Sequence, residues 1–178
     1  APTAGSAGVV PGMMLALQEC YRISDQRIVD ALFNAGAVGY LAMRNATVAG
    51  AVGGCQAEVG VASAMAASAA VELMGGTPQQ CLDAASTVLM NMLGLVCDPV
   101  AGLVEVPCVK RNVIGAVNAI SAADMALAGI ESRIPVDEVI DAMGEVGRRM
   151  PVEFRETLPP RRPAERSKNA CLRARSRT

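Results

Sequence analysis

Three of the six cysteines stand where the helical pattern of the sequence is interrupted. Cys55 follows two glycines, Cys97 ends a predicted helix just before an Asp-Pro pair, and Cys108 follows a proline just before another predicted helix. At such breaks a thiolate can point into a cavity, and a nearby helix N-terminus lowers a thiol pKa. Three thiolates can hold three irons of a cubane cluster and leave the fourth iron open as a Lewis acid.

The positions of these cysteines are, by themselves, compatible with several roles. A free cysteine is usually a small buried residue, and Cys20 and Cys81, which lie inside helical patterns, fit that role. We expect Cys171, in the C-terminal tail, to have no role in a site. A thiol redox site or a zinc site is a further alternative, although zinc needs a fourth ligand and the sequence contains no His. A large, apolar chain that shows no secretory signal at its start favours reduced thiols in the cytoplasm over disulfides.

The composition indicates a globular helical protein. Of 178 residues, 52% are hydrophobic and 19% are charged. The sequence has two Tyr, two Phe and no Trp, which argues against a base-stacking platform for nucleic acid. No apolar run predicts a membrane span. Abundant small residues allow helices to approach closely, and no strand-like alternation is present. We therefore predict an all-α fold, a compact bundle of about five to seven helices with a cluster site at the helix breaks.

Capping signals indicate where the elements that carry these cysteines begin and end. The segment Thr77-Pro78-Gln79-Gln80 has the residues of a capping box with proline in the first turn. The last helix has acidic residues in its first turn and arginines in its last, which complements the helix dipole. The predicted helices cover residues 9–17, 24–34, 57–74, 77–92, 110–127 and 135–149 approximately.

The charge distribution divides the chain into two parts. Residues 1–157 carry nine basic and sixteen acidic side chains, whereas residues 158–178 carry seven basic and one acidic. We interpret the first part as one helical domain and the second as a basic, disordered tail. An alternative role for the tail is binding to nucleic acid or to an acidic partner.

Three blocks of sequence resemble the iron–sulfur-dependent L-serine dehydratases. They are APTAGSAGVVP at residues 1–11, GGCQAEVGVA at residues 53–62, and LGLVCDPVAG at residues 93–102 continuing through VPCVKRN at residues 106–112. The resemblance is strongest to the type with separate alpha and beta chains, and it covers nearly all of residues 1–157. It implies an all-helical domain in which Cys55, Cys97 and Cys108 ligate a [4Fe-4S] cluster.

The resemblance also implies a reaction, the deamination of L-serine to pyruvate and ammonia. In an aconitase-like mechanism the open iron binds the carboxylate and hydroxyl of serine, a base removes the Cα proton, and hydroxide leaves to the iron. The aminoacrylate product then hydrolyses unaided. A Lewis acid assists both difficult steps, the ionisation of Cα–H and the departure of hydroxide.

Further candidate residues surround these motifs. Thr3, Ser6 and the backbone of Gly5 and Gly8 are candidates for binding the carboxylate, although a purely structural turn accounts for them equally well. Ser6 is also a candidate for the base, by analogy with aconitase. Lys110, as a catalytic residue, and Arg111, as a substrate-binding residue, stand at a helix start, where cations oppose the dipole. Two polar residues in an apolar region, Arg44 and Asn45, are also candidates for substrate binding, with a buried, paired Arg as the competing explanation. Glu58 and Asp98 are candidates for an orienting or capping role.

The sequence departs from the family pattern at both ends. From the resemblance we expect the chain to lack a further N-terminal region of the family's alpha chain and the beta-type regulatory domain, and to differ after Thr157 from the family's Gly-rich continuation. We therefore expect a cytoplasmic homo- or hetero-oligomer completed by a beta chain or regulatory domain and by the missing N-terminal segment. The rival hypothesis is a truncated, inactive helical remnant that only binds a partner chain.

Overall fold

The computed structural model describes residues 5–97 and 105–155, and within this part of the chain the fold is entirely helical. The prediction of an all-α bundle of five to seven helices is confirmed, since the described residues form seven α-helices. They are α1 (Val9–Tyr21), α2 (Asp25–Asn45), α3 (Gly50–Gly53), α4 (Val61–Leu73), α5 (Pro78–Met92), α6 (Glu105–Leu127) and α7 (Val136–Arg149). A π-helical turn (Gln56–Gly60) precedes α4, and a 3₁₀ turn (Val152–Phe154) follows α7.

Helix α4 is the centre of the bundle. It packs against α1, α2, α5 and α6, and every residue except Glu72 is buried. Its sequence, VASAMAASAAVEL, consists mostly of small side chains, which let neighbouring backbones approach closely on all sides. The other helices are therefore arranged around an element that has no solvent-facing side.

The π-helical turn makes α4 the continuation of the segment that carries Cys55. The sequence predicts a single helix from residue 57, but the structure has the wider turn over Gln56–Gly60 before regular α-helix begins at Val61. The hydroxyl of Ser63 donates a hydrogen bond of 2.7 Å to the carbonyl oxygen of Val59, four residues earlier. Side-chain donors of this kind satisfy carbonyl groups that irregular helix geometry leaves without their usual partner.

The predicted capping signals are found in the structure. The Thr77 hydroxyl accepts a hydrogen bond from the Gln80 N–H, and the Gln80 side chain accepts one from the Thr77 N–H, which is a complete capping box. Helix α4 ends before Gly75, whose φ of +84° is the left-handed conformation that glycine adopts most readily. Helix α7 has the predicted acids in its first turn and arginines in its last.

Several predicted helix boundaries were wrong, and two of these differences place predicted site residues inside helices. Helix α2 continues to Asn45, eleven residues beyond Asn34, because the Ala- and Gly-rich segment after Asn34 packs its small residues against α4. Helix α6 begins at Glu105 rather than near Lys110. Cys108 therefore lies inside the first turn of a helix and not at a break, since Pro107 occupies a position whose N–H needs no intrahelical partner.

Three predictions lie outside the described residues. They concern Thr3, the loop at residues 98–102 with Asp98, and the tail at residues 158–178. None of the described helices combines the length and the apolar character needed to cross a membrane.

The contact between α4 and α6 generates a prediction about stability. A Cβ at Gly115 of α6 would collide with the hydroxyl of Ser63 and come within 3.0 Å of Val59 Cγ1. We expect Gly115→Ala to lower the free energy of unfolding by about 1–3 kcal/mol, the usual cost of overpacking. Thermal or urea unfolding followed by circular dichroism measures this change.

The matched control is Gly36→Ala in α2, where an added Cβ meets nothing within 4 Å. That substitution should raise stability by about 0.5–1 kcal/mol through helix propensity alone. Equal effects of the two substitutions would show that the close approach at Gly115 is not a constraint.

Candidate functional site

Cys55 is a thiol whose surroundings lower its pKa. It is fully buried, and the Arg111 Nη1 atom lies 3.2 Å from its sulfur. A hydrogen bond from the thiol of Cys97 and the adjacent Arg111 guanidinium lower the pKa of Cys55 from 9.0 to about 7, against the opposing effects of burial and of the Glu58 charge. The site therefore stabilises a buried thiolate near neutral pH.

The backbone around Cys55 is fixed by its neighbours. Gly54 has a φ of +75°, and a Cβ there would lie 2.7 Å from the sulfur of Met150. The buried side chain of Gln56 accepts a hydrogen bond of 2.8 Å from the Gly94 N–H and donates one of 3.2 Å to the Met143 carbonyl oxygen. The start of the π-helical turn is thereby connected both to α7 and to the segment that leads to Cys97.

Cys97 approaches Cys55 from the segment after α5. Its side chain is buried, and its thiol is the donor in the hydrogen bond to the Cys55 sulfur. Its backbone N–H donates a hydrogen bond of 2.8 Å to the carbonyl oxygen of Phe154, in the 3₁₀ turn. The structure thus brings together two of the three predicted cluster ligands.

Cys108, the third predicted ligand, is buried in the first turn of α6, one helical turn before Arg111. Residues three apart lie on one side of a helix, so Cys108 is on the side of α6 that carries the contact with Cys55. No group of three or more Cys, Asp or Glu side chains in residues 5–97 and 105–155 could hold a metal ion. A cubane allows a wider spacing than a single ion, with its sulfur ligands converging to within roughly 6–7 Å of each other. The soft thiolate donors suit iron.

A second polar contact lies at the turn before α1. The Gly5 N–H donates a hydrogen bond of 3.0 Å to Glu58 Oε1, and the Gly5 carbonyl oxygen accepts one of 2.9 Å from Asn112 Nδ2. A Cβ at Gly5 would lie 2.6 Å from Glu58 Oε1, so only glycine allows this approach. Ser6, the next residue, is fully buried. The backbone N–H and carbonyl oxygen of Gly5 are therefore both hydrogen-bonded to side chains that are distant in sequence.

Consecutive residues of α6 connect the two contacts. Arg111 reaches Cys55 and Asn112 reaches the Gly5 carbonyl oxygen, while Glu58, one turn after Cys55, accepts from the Gly5 N–H. We call this group the Cys55 site. It consists of Gly5, Ser6, Cys55, Glu58, Cys97, Arg111 and Asn112. Its members combine a thiolate, a guanidinium, a carboxylate and an amide in a buried region, an arrangement suited to binding a small polar molecule with charges of both signs.

Several predicted site residues lie apart from this group. Arg44 and Asn45 are exposed at the end of α2, where they bond to the Tyr40 hydroxyl at 3.2 Å and to the Leu41 carbonyl oxygen at 3.0 Å, both in their own helix. Lys110 is exposed on α6. Lys110 and Arg111 are adjacent in sequence, but only the Arg111 side chain contacts the Cys55 sulfur.

The part played by Asn112 and the way in which Glu58 enters the site were not predicted from the sequence. Both residues lie within the blocks that carry the resemblance, but neither has a spacing that predicts its partner, because Gly5 is 107 residues from Asn112 and 53 from Glu58. The only available signal was the presence of polar side chains in otherwise apolar helices, which often marks a buried hydrogen-bonding role.

The lowered pKa of Cys55 gives a prediction for the metal-free protein. The ultraviolet absorbance of thiolate, taken as the difference between the wild type and Cys55→Ser, should rise with a midpoint near pH 7 instead of 9.0. Because the guanidinium favours the charged form, Arg111→Ala should move the midpoint upward. A wild-type curve centred at the ordinary thiol value would contradict the combined effect of Cys97 and Arg111, and an unchanged midpoint in Arg111→Ala would contradict the contact between Arg111 and Cys55.

Comparison with known proteins identifies the family. The family model described as "Serine dehydratase alpha chain" matches residues 1–159. The chain is 63% identical over 156 residues to a Bacillus subtilis protein named "Probable L-serine dehydratase, alpha chain", and 57% identical over 156 residues to a Latilactobacillus sakei protein of the same name. It is 54% identical over 157 residues to the "L-serine dehydratase, alpha chain" of Peptoniphilus asaccharolyticus.

These alignments include 88% of the present chain and 52%, 75% and 54%, respectively, of the three relatives. The chain thus spans about half the length of two of the three relatives. The chain belongs to the serine dehydratase alpha chain family.

Proposed function

We propose that this chain is the part of an L-serine dehydratase that holds a [4Fe-4S] cluster and the substrate. Family membership supports the activity, because the relatives bear that name. The observation that carries the proposal is the buried thiolate of Cys55, in contact with Cys97 and Arg111 and joined through α6 to the turn at Gly5. Where water is excluded from such a polar site, its charges act more strongly on the bonds that an elimination breaks.

The proposed ligands of the cluster are Cys55, Cys97 and Cys108. All three side chains are buried, and the low pKa of Cys55 supplies the thiolate form that iron requires. When bound, such a cluster supplies a Lewis-acidic iron that polarises the hydroxyl group of the substrate. The Arg111 guanidinium offsets negative charge at the thiolates, because it already contacts the Cys55 sulfur.

The remaining steps are assigned to residues at the turn before α1. Ser6 is the proposed acceptor of the Cα proton, since it is fully buried beside the peptide that Glu58 and Asn112 fix. The N–H groups of the turn and the side chains of Thr3 and Arg111 are proposed to bind the substrate carboxylate. Loss of the Cα proton and of the β-hydroxyl from L-serine leaves 2-aminoacrylate and water, and hydrolysis of 2-aminoacrylate yields pyruvate and ammonia.

The chain is proposed to act with a partner. The name "alpha chain" of the relatives supports a separate beta chain, and the greater length of those relatives supports a further segment of the catalytic chain. We propose the cytoplasm as the location, because the described cysteines are not joined in disulfides, as is usual in a reducing compartment. An inactive remnant that only binds its partner is the competing proposal, and measurements of activity distinguish the two.

The cluster generates the first functional prediction. Anaerobic reconstitution with iron and sulfide should give the wild type a broad visible absorption and L-serine dehydration when a beta chain and the additional N-terminal segment are supplied. Cys55→Ala, Cys97→Ala and Cys108→Ala should each reduce bound iron and abolish activity, because each removes a thiolate ligand. Visible absorption, iron analysis and pyruvate release measure these effects.

The control for general thiol loss is Cys20→Ser, which changes an exposed cysteine and should leave iron content and turnover unchanged. Full iron content and activity in all three alanine variants would refute the cluster assignment. Iron uptake without any turnover in the completed wild-type assembly would favour the inactive remnant.

A comparison of neighbouring cations on α6 generates the second functional prediction. Arg111→Ala should lower kcat/KM by about 10²-fold or more, because it removes a partly buried, charge-assisted contact with the Cys55 sulfur. Lys110→Ala removes an exposed cation one residue away and should change kcat/KM by less than about threefold. A large loss in Lys110→Ala with an intact cluster would instead establish the catalytic role that the sequence predicts for Lys110.

A further inference from the structure

Glu58 and Asn112 approach the same peptide residue from two elements. Glu58 Oε1 is 3.0 Å from the Gly5 nitrogen, and Asn112 Nδ2 is 2.9 Å from the Gly5 oxygen. Both functional groups therefore lie within hydrogen-bond distance of one residue, Gly5. Neither contact is needed to complete a helix, because Gly5 precedes α1. The two side chains form a polar pair that the proposed cluster and the proposed proton transfer do not use.

The carboxylate of Glu58 is buried and forms no ion pair with the described residues. Its residue is 6% exposed, and the ion pairs of the described residues all involve Glu145, with Arg148 and Arg149. The Gly5 N–H satisfies one carboxylate oxygen. A buried carboxylate that forms no ion pair is costly, and a bound cation would offset that cost.

Asn112 offers a second acceptor beside this carboxylate. Its Nδ2 is engaged by the Gly5 carbonyl oxygen, which fixes the orientation of the amide. Its Oδ1 is buried and has no hydrogen-bond partner among the described residues. An unpaired buried carbonyl oxygen is unfavourable, and a ligand that donates a hydrogen bond to Asn112 Oδ1 would remove this cost.

We propose that Glu58 and Asn112 bind the α-ammonium group of the amino-acid substrate, an inference that rests on the proposed function. An ammonium group carries three N–H donors and a positive charge, which matches an acceptor pair with one negative charge. The substrate carboxylate has no donor, and its natural counterpart is the Arg111 guanidinium on the next residue of α6. The charges of the Cys55 site thus give the two ends of an amino acid different positions.

The test compares two ligands that differ only in the amino group, L-serine and 3-hydroxypropionate. The reconstituted holoenzyme with its beta chain is assayed for the KM of L-serine and for the competitive inhibition constant of 3-hydroxypropionate. Glu58→Gln keeps an oxygen that can accept from Gly5 but removes the charge. We expect it to raise the KM of L-serine by about tenfold or more and to change the inhibition constant of 3-hydroxypropionate by less than about twofold.

Asn112→Ala should likewise raise the KM of L-serine more than the inhibition constant of 3-hydroxypropionate. The control is Asn118→Ala, which removes another amide side chain of α6 and should change neither constant. Iron content and visible absorption should match the wild type in all three variants. If these variants bind both ligands equally weakly, or bind both as the wild type does, the proposal is overturned and Glu58 and Asn112 have only a structural role. Absence of L-serine turnover in the wild-type holoenzyme would overturn the proposed function and this inference together, and it is recognised before any variant is measured.

Discussion

Close packing against α4 is the constraint on which the Cys55 site depends. Because the side chains of α4 are small and buried, the backbone of α6 can approach until Gly115 touches Ser63 and Val59. That approach sets the depth and rotation of α6. Arg111 and Asn112, one turn earlier, then reach Cys55 and Gly5 with short side-chain contacts. Larger residues at the contact would move α6 outward and separate both pairs.

The electrostatics of the site follow from this packing. Burial alone would keep the Cys55 thiol neutral, and the negative charge of Glu58 acts in the same direction. The hydrogen bond from Cys97 and the charge of Arg111 outweigh both effects. A thiolate, a carboxylate and a guanidinium therefore lie in one water-poor region, where each charge acts more strongly than it would in solvent. Small movements of α6 are expected to change the ionisation of Cys55 substantially.

The sequence predicted the parts of the fold that local chemistry determines. The capping box at Thr77, the charge order of α7 and the all-helical class depend on neighbouring residues, and the structure confirmed them. The π-helical turn and the early start of α6 were missed, because each depends on tertiary packing and not on local propensity.

The site was predictable to the extent that its residues belong to short motifs. Cys55, Cys97 and Arg111 lie in the blocks that resemble the family, and the structure brings them into contact. Arg44 and Asn45 were selected as polar residues in an apolar segment, but the exposed end of α2 already accounts for their polarity. The bonds from Glu58 and Asn112 to Gly5 join segments far apart in the chain, which no local pattern encodes.

The hydrogen bond from the Cys97 N–H to the Phe154 carbonyl oxygen has a consequence for how the chain tolerates change. A cysteine such as Cys97, which lies on a connecting segment, could ordinarily move independently of the helices. Here the backbone of that cysteine is anchored to the 3₁₀ turn that follows the last helix, far along the chain. Insertions or deletions between α7 and this turn should therefore be selected against as strongly as changes beside the cysteine itself.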